Sequence, residues 1–451
     1  MVKKQEINMT EGKMLGKILL FGIPLMLSGM LQLLYNAADI IVIGRFAGKE
    51  CLAAVGSTGS LNNLIVNFLL GLSVGSSVIA ARYFGAKDNN GFSRIMHTSV
   101  VVSVLGGVIA AVFGSVFIYP LLQLMDSPTD VIDLSAKYMR IIFLGMPAQC
   151  LYNYGAAIIR SIGDTRKPLY ILGFSGIINV LLNLFLVLCF GMDVDGVAIA
   201  TITSQYISAV LIVITLMRLD NLPSLKLDKL HIHKYEFLGM LKIGIPSGIN
   251  SSLFSLANVI IQSAVNSFGS VVVAGNSIGT SLEGFVYTAM NTFHHSALTF
   301  ASQNIGAKKY ERLTKGILTC IGCVIVVGIV AGFGVFLFGR PLSSLYNSDP
   351  EVIKYSLYRL SIICPTYFVC GIMDTISGAL RGLGHSTRPM LISIITVCGL
   401  RVFFVLCIFP LYKSLFLLYA SWPISWLLSV ICQAALLVYF LKKLKKEPQT
   451  A

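Results

Sequence analysis

The run LLYNAADIIVIG, Leu33 to Gly44, sets one carboxylate, Asp39, in a stretch that is otherwise apolar or small and long enough to cross a bilayer. An ionisable group in a membrane helix is costly unless it faces protein or water, so each one is a functional candidate. Gln32, Asn36 and Asp39 fall at i, i+4 and i+7, on one face of a helix. Asn179 and Asn183 share a face at i, i+4 in a later span, and Thr201 follows in the next one at a similar depth. A carboxylate, two carboxamides and a hydroxyl at one depth make an oxygen-rich site able to hold a proton or to replace the water around Na⁺. The bland alternative for Asp39 is a structural hydrogen bond to a neighbouring helix.

The other acids well inside apolar spans are Glu283 and Asp374, and the bases are Arg401 and the pair His294-His295. Adjacent histidines face different ways on a helix, and Glu283 can equally serve as a structural partner for a distant base such as Arg401. No histidine–glutamate zinc motif, paired aspartate or serine–histidine arrangement occurs at depth, which argues against a membrane-embedded enzyme. CIGC, Cys320 to Cys323, has the spacing of half a zinc site but lacks a second half.

These residues need a membrane scaffold to position them. The 451 residues are 55% hydrophobic and only 12% charged, too apolar for a soluble protein to hide in its cores. Stretches of about 20 apolar residues, the length a spanning helix needs, occur twelve times, at 18–43, 52–80, 95–122, 138–159, 168–190, 194–217, 238–265, 271–302, 316–338, 355–380, 390–410 and 416–441. The fold class is therefore all-α and multi-pass. Lys3, Lys4, Lys13 and Lys17 precede a first span too long for a signal-peptide core, which reads as an uncleaved helix.

Most of the 34 Lys and Arg residues fall in both tails and the even-numbered loops, with Arg45, Lys49, Lys137, Arg140, Arg340, Lys354, Arg359 and Lys413 on the opposite side and its helix ends. That bias puts both termini in the cytoplasm of a cell-membrane protein. It also accounts for the net charge of +14 without nucleic acid as a partner.

The chain repeats itself. Pro24 of FGIPLML meets Pro246 of IGIPSGI, FGAK at Phe84 meets IGAK at Ile305, and RSIGDTRKP at Arg160 meets RGLGHSTRP at Arg381. The last two intervals are identical, and the first differs from them by a single residue. Three matches in order at one spacing indicate a duplication. Each copy has an even number of helices, so the copies enter the membrane alike and are expected to be related by a pseudo-two-fold axis along its normal. The expected organisation is a tail at 1–17, an N-lobe of six helices at 18–217, a loop at 218–237, a C-lobe of six helices at 238–441 and a tail at 442–451. The loop reads as a solvated connector with a short amphipathic segment. Prolines within spans, such as Pro24, Pro147, Pro246 and Pro365, bend helices.

The same residues carry a resemblance. GIP…LLYNAADIIVIGRFAG in the first span, YFGAKD after the second, RSIGDTRKP after the fourth, and the echoes ASQNIGAKK and LRGLGHSTRP resemble the multidrug and toxic compound extrusion (MATE) family, from about Leu15 to Leu441. The resemblance implies a V-shaped pair of lobes around a cavity open alternately to each side. It also implies export of mostly cationic amphiphiles driven by inward flow of H⁺ or Na⁺, with no cofactor beyond that ion. Membrane lipid surrounds such a protein, which is expected to work as a monomer. In relatives that couple through the N-lobe, an acid matching Asp39 acts with residues matching Asn179, Asn183 and Thr201. The residue matching Asn183 is a carboxylate there, so the amide in this chain weakens a Na⁺ site and favours protons. Branches that couple through the C-lobe carry acids near Phe254 and Cys370; this chain has none at the first, and Asp374 lies one turn past the second. Gln32, Tyr35, Asn36, Met30 and Phe68 are candidate substrate contacts, through stacking and cation–π interaction. A flippase for lipid-linked saccharides shares the two-lobed plan but needs a cationic cavity, and Arg401 is the only base read as lying well inside a span. A passive channel would need neither the bendable repeats nor an isolated acid.

Overall fold

In hydrocarbon a chain can satisfy its backbone hydrogen bonds only by forming helices or a closed barrel. The computed structural model, which describes residues 7–43, 49–124, 132–219 and 221–446, is helical with no strand among those residues. Twelve long helical elements fall on the twelve expected spans. They are α1 (Met14–Val42), α2 (Lys49–Ala86), α3 (Asn89–Val116), α4 (Ile132–Leu144 and Met146–Ser161), α5 (Arg166–Cys189), α6 (Val194–Met217), α7 (Lys234–Asn266), α8 (Ser270–Gly306), α9 (Tyr310–Leu337), α10 (Pro350–Gly382), α11 (Thr387–Tyr412) and α12 (Leu415–Lys446). Gly44, Arg45 and the outer parts of both expected tails, including Lys3 and Lys4, lie outside the described residues.

Among the described residues ten helices are long and apolar enough to span a bilayer alone, and α4 makes eleven if its two pieces, bent by 45° beside Pro147, count as one span. The twelfth, α8, has 37 residues but carries Asn276, Glu283, Asn291, His294, His295 and Gln303. Asn276, Glu283, His294 and Gln303 find protein partners, which is how a helix this polar can be held in a membrane protein.

The duplication recurs in the backbone. Lys87 and Lys308 both adopt the left-handed conformation, with φ of 58° and 55°, and Gly163 and Gly384 do so with φ of 87° and 92°. Lys308 lies as far beyond Lys87 as Gly384 lies beyond Gly163, so the copied motifs make copied turns.

The chain forms two compact units, one of Met1–Ile7 with Leu27–Gly248 and the other of Asn8–Met26 with Ile249–Ala451, each over its described residues. The divisions fall just past Pro24 in α1 and just past Pro246 in α7, at matching points of the two copies. The first unit has a core of Phe92, Ile95, Ile158, Ile159 and Ile212. The second packs around Phe293, Tyr367, Tyr419, Trp422 and Trp426. The 218–237 loop is more than a solvated connector. Leu219 and Leu225 are buried, and the loop is pinned to α3, where Lys226 N donates to His97 Nε2 at 3.1 Å and His233 N donates to Thr98 Oγ1 at 3.1 Å. At the start of α7, buried Glu236 pairs with Arg94 at 2.6 Å and accepts from Tyr83 at 3.2 Å.

Candidate functional site

In the first unit three helices bring the four proposed coupling residues together. Asn183 Nδ2 on α5 donates to Asp39 Oδ1 on α1 at 2.5 Å. The same amide lies 3.4 Å from Asn179 Oδ1, one turn earlier, and Asn179 Nδ2 lies 3.4 Å from Thr201 Oγ1 on α6. Thr201 in turn donates to Val197 O at 2.9 Å. Asn179 and Asn183 are buried and Asp39 is half-buried. Asn183 is the one side chain hydrogen-bonded to Asp39 among the described residues, and its own Oδ1 is buried with no hydrogen-bond partner there. A carboxylate beside an unsatisfied amide oxygen favours a proton or a small cation, since either would supply the missing donor or positive charge.

Local structure supports this arrangement. The i, i+4 spacing puts both asparagines on one face of α5, and the helix widens into a π-helical turn at Phe185–Cys189 just beyond them, a feature often found at functional sites. Val42, Ile43, Val187, Val194 and Val197 pack into an apolar floor. Tyr138 on α4 packs against that floor and lies within electrostatic reach of Asp39. Sequence reading missed it; its only signal is a phenol in a largely apolar span on another helix.

The proposed substrate contacts are scattered. Tyr35 donates to Gly173 O at 3.1 Å and its ring lies against Gly176 of α5, so it braces the helix pair that carries the site. Gln32 and Asn36 are exposed, and Met30 is half-buried. Phe68 on α2 packs against Gly248 of α7.

In the second unit, Arg359 meets Glu283 in a bidentate pair at 2.8 and 2.7 Å, both side chains buried. Arg359 also donates to Asn276 Oδ1 at 2.7 Å and lies over the rings of Tyr419 and Trp422 at 5.3 and 5.1 Å. The partner of Glu283 is therefore Arg359 rather than Arg401. α10 starts at Pro350, earlier than the apolar run, which carries Arg359 about two and a half turns into the helix. Arg401 is consequently not the only base inside a span. Asp374 lies apart from this pair. Its carboxylate interacts with Tyr287 and Arg381, and its carbonyl lies 2.8 Å from His294 Nδ1.

The MatE family model matches residues 24–185 and again 246–406. The chain belongs to the MATE family. Its two matches start at Pro24 and Pro246, the prolines that mark the internal repeat. This MATE chain is 31% identical over 85% of its length to the probable multidrug resistance protein YoeA of Bacillus subtilis (strain 168), of which it covers 84%. It is 26% identical over 86% of its length to a protein named FAD transporter from Shewanella oneidensis, 86% of which is covered. Its fold matches a multidrug resistance MATE transporter of the MOP superfamily solved in an outward-facing conformation, with TM-score 0.89 and 21% identity over 98% of this chain and 99% of that one. As a MATE protein it is a multi-pass membrane transporter of the multidrug-efflux class and not an enzyme, and the flippase reading is not favoured.

Proposed function

We propose that this MATE transporter is a secondary antiporter that exports cationic amphiphiles in exchange for H⁺, with Na⁺ as the alternative ion, through alternating access. The observation that carries the reading is the bond from Asn183 to Asp39 within the Asn179–Thr201 chain. One carboxylate, held by neutral amides above an apolar floor, is negative when empty and neutral when protonated. A cationic substrate and a proton cannot both satisfy that single charge, so loading one displaces the other. Exchange follows when each ligand favours a different state of the carrier. The single formal charge favours H⁺, because stripping water from Na⁺ is better offset by more anionic oxygens.

The Lys and Arg bias supports cytoplasmic termini in a cell membrane, and a carboxylate site built within one unit requires no second copy. The deciding measurement is dye efflux from proteoliposomes with a pH or a Na⁺ gradient imposed alone. Wild-type efflux should follow the pH gradient, and equal efflux with neither gradient would sink the antiport reading.

A further inference from the structure

Arg401 is a buried cation without a counter-ion among the described residues. It is 3% exposed and has no carboxylate within 4.0 Å among the described residues, since Glu283 and Arg359 pair with each other. Of its five N–H donors, two have hydrogen-bond partners among those residues: Nε reaches Ser425 Oγ at 3.2 Å and Nη1 reaches Asn258 Oδ1 at 3.5 Å. Trp422 and Trp426 lie beneath its guanidinium at 5.0 and 5.8 Å. Cation–π contact offsets part of the cost of stripping water from a guanidinium, not all of it. Trp422 also carries Arg359 at 5.1 Å, so two like charges share one indole.

The internal repeat gives this location meaning. Asn258 stands as far beyond Asn36 as Pro246 stands beyond Pro24. The interval from Arg160 to Arg381 sets the register of α5 against α11, which puts Arg401 within one residue of the counterpart of Asn179. Ile261 takes the place of Asp39. Near the region that corresponds to the acidic site, the second half thus carries a cation where the first carries its carboxylate. Arg401 also sits on a short α-helical piece, Leu400–Phe403, between π-helical segments at Ile394–Gly399 and Phe404–Ile408, as Asn183 sits beside the π-helical turn of α5.

We propose that Arg401, Asn258 and Ser425 form an oxyanion-binding subsite that receives a carboxylate or phosphate group of the exported compound. A guanidinium suits either group, because its fork of N–H donors matches two oxygens at once. Asn258 is exposed at the surface of its unit and provides the way in. The subsite stands on its own geometry; naming the exported compound as the carrier of the anion rests on the exporter reading above. Substrates would then include zwitterionic amphiphiles.

The chain's two tryptophans both touch Arg401, so their fluorescence reports on this subsite. Purified protein is titrated with sodium acetate and with inorganic phosphate, ionic strength being held constant with sodium chloride. Wild type should respond saturably. Arg401→Lys should shift the midpoint by about tenfold or more, since it keeps the charge but loses the fork. Asn258→Asp, a change at an exposed position, should supply an internal carboxylate and abolish the response while unfolding at or above the wild-type temperature. No saturable response in wild type, or an unchanged midpoint in Asn258→Asp, overturns the proposal. In proteoliposomes, Arg401→Lys should cut export of a xanthene dye bearing a free carboxylate about tenfold more than export of its methyl ester; equal loss of both makes Arg401 structural and overturns the link to substrate. Failure of wild type to export either dye, with the titration still saturating, counts against the exporter reading and upholds the subsite.

Discussion

Asn183 on α5 holds the carboxylate of Asp39 on α1 through one short amide hydrogen bond, 2.5 Å long. The bond fixes one carboxylate oxygen and leaves the other for a ligand. Because Asn183 is neutral, it orients the charge of Asp39 without adding a second one or cancelling it.

Asp39→Asn should abolish efflux driven by a pH gradient, because the substitution keeps the shape of the side chain and removes only its titratable charge. An amide at position 39 can still meet Asn183 by turning its carbonyl toward the Nδ2 group. Folding should survive, with thermal unfolding in detergent unchanged. Wild-type efflux by the purified variant in proteoliposomes would remove Asp39 from the mechanism and make Asp374 the next candidate.

Asn183→Asp should raise the dependence of efflux on Na⁺. Two carboxylates in direct contact cannot both ionise freely, so a shared cation or proton becomes the price of closeness. Asn179→Ala should weaken coupling more mildly, by about fivefold, since it removes only the two long contacts to Asn183 and Thr201, together worth about 1 kcal/mol. Both effects are read by imposing Na⁺ and pH gradients separately.

The path from sequence to site was legible where the information is periodic. Helical spacing placed Asn179 and Asn183 on one face, and the structure joins them to Asp39 and Thr201. Eleven of the spans were legible because lipid demands long apolar runs, whereas α8 carries polar groups along much of its length. Contacts between helices distant in sequence were not. Tyr138 beside Asp39 and Arg359 beside Glu283 depend on which helices pack together, and no one-dimensional pattern encodes that. The docking of the 218–237 loop was missed for a similar reason: its charged residues conceal Leu219 and Leu225, which are buried.

The Glu283–Arg359 pair should matter for stability more than for coupling. Both Glu283 oxygens accept from Arg359, and Asn276 takes a third guanidinium bond. Glu283→Leu or Arg359→Met alone leaves a buried charge unpaired, at a cost of about 3–5 kcal/mol. The double variant Glu283→Leu with Arg359→Met removes both charges and should recover most of that loss. Thermal unfolding of the two singles and the double tests this, and strictly additive losses would contradict it.

Gly176 and Gly173 offer the sharpest test of whether the seating of α1 on α5 sets the coupling site. A Cβ at Gly176 would fall 2.0 Å from the Tyr35 ring, whereas one at Gly173 would find its nearest atom at 3.9 Å. Both glycines lie within the same helix, so replacement by alanine gives each the same gain in helix propensity, about 1 kcal/mol. The difference between the two variants therefore isolates the clash. Tyr35 is four residues before Asp39, one turn away on the same face. Displacing its ring, which is anchored at Gly173 O, is expected to push that turn of α1 outward and carry Asp39 away from Asn183. Gly176→Ala should lower pH-driven efflux at least tenfold, with overpacking costing about 1–3 kcal/mol in stability. Gly173→Ala should keep efflux at the wild-type rate with equal or higher thermal stability. Equal efflux by both variants would mean that Tyr35 yields without moving α1, and that the Asp39–Asn183 bond tolerates changes in helix spacing.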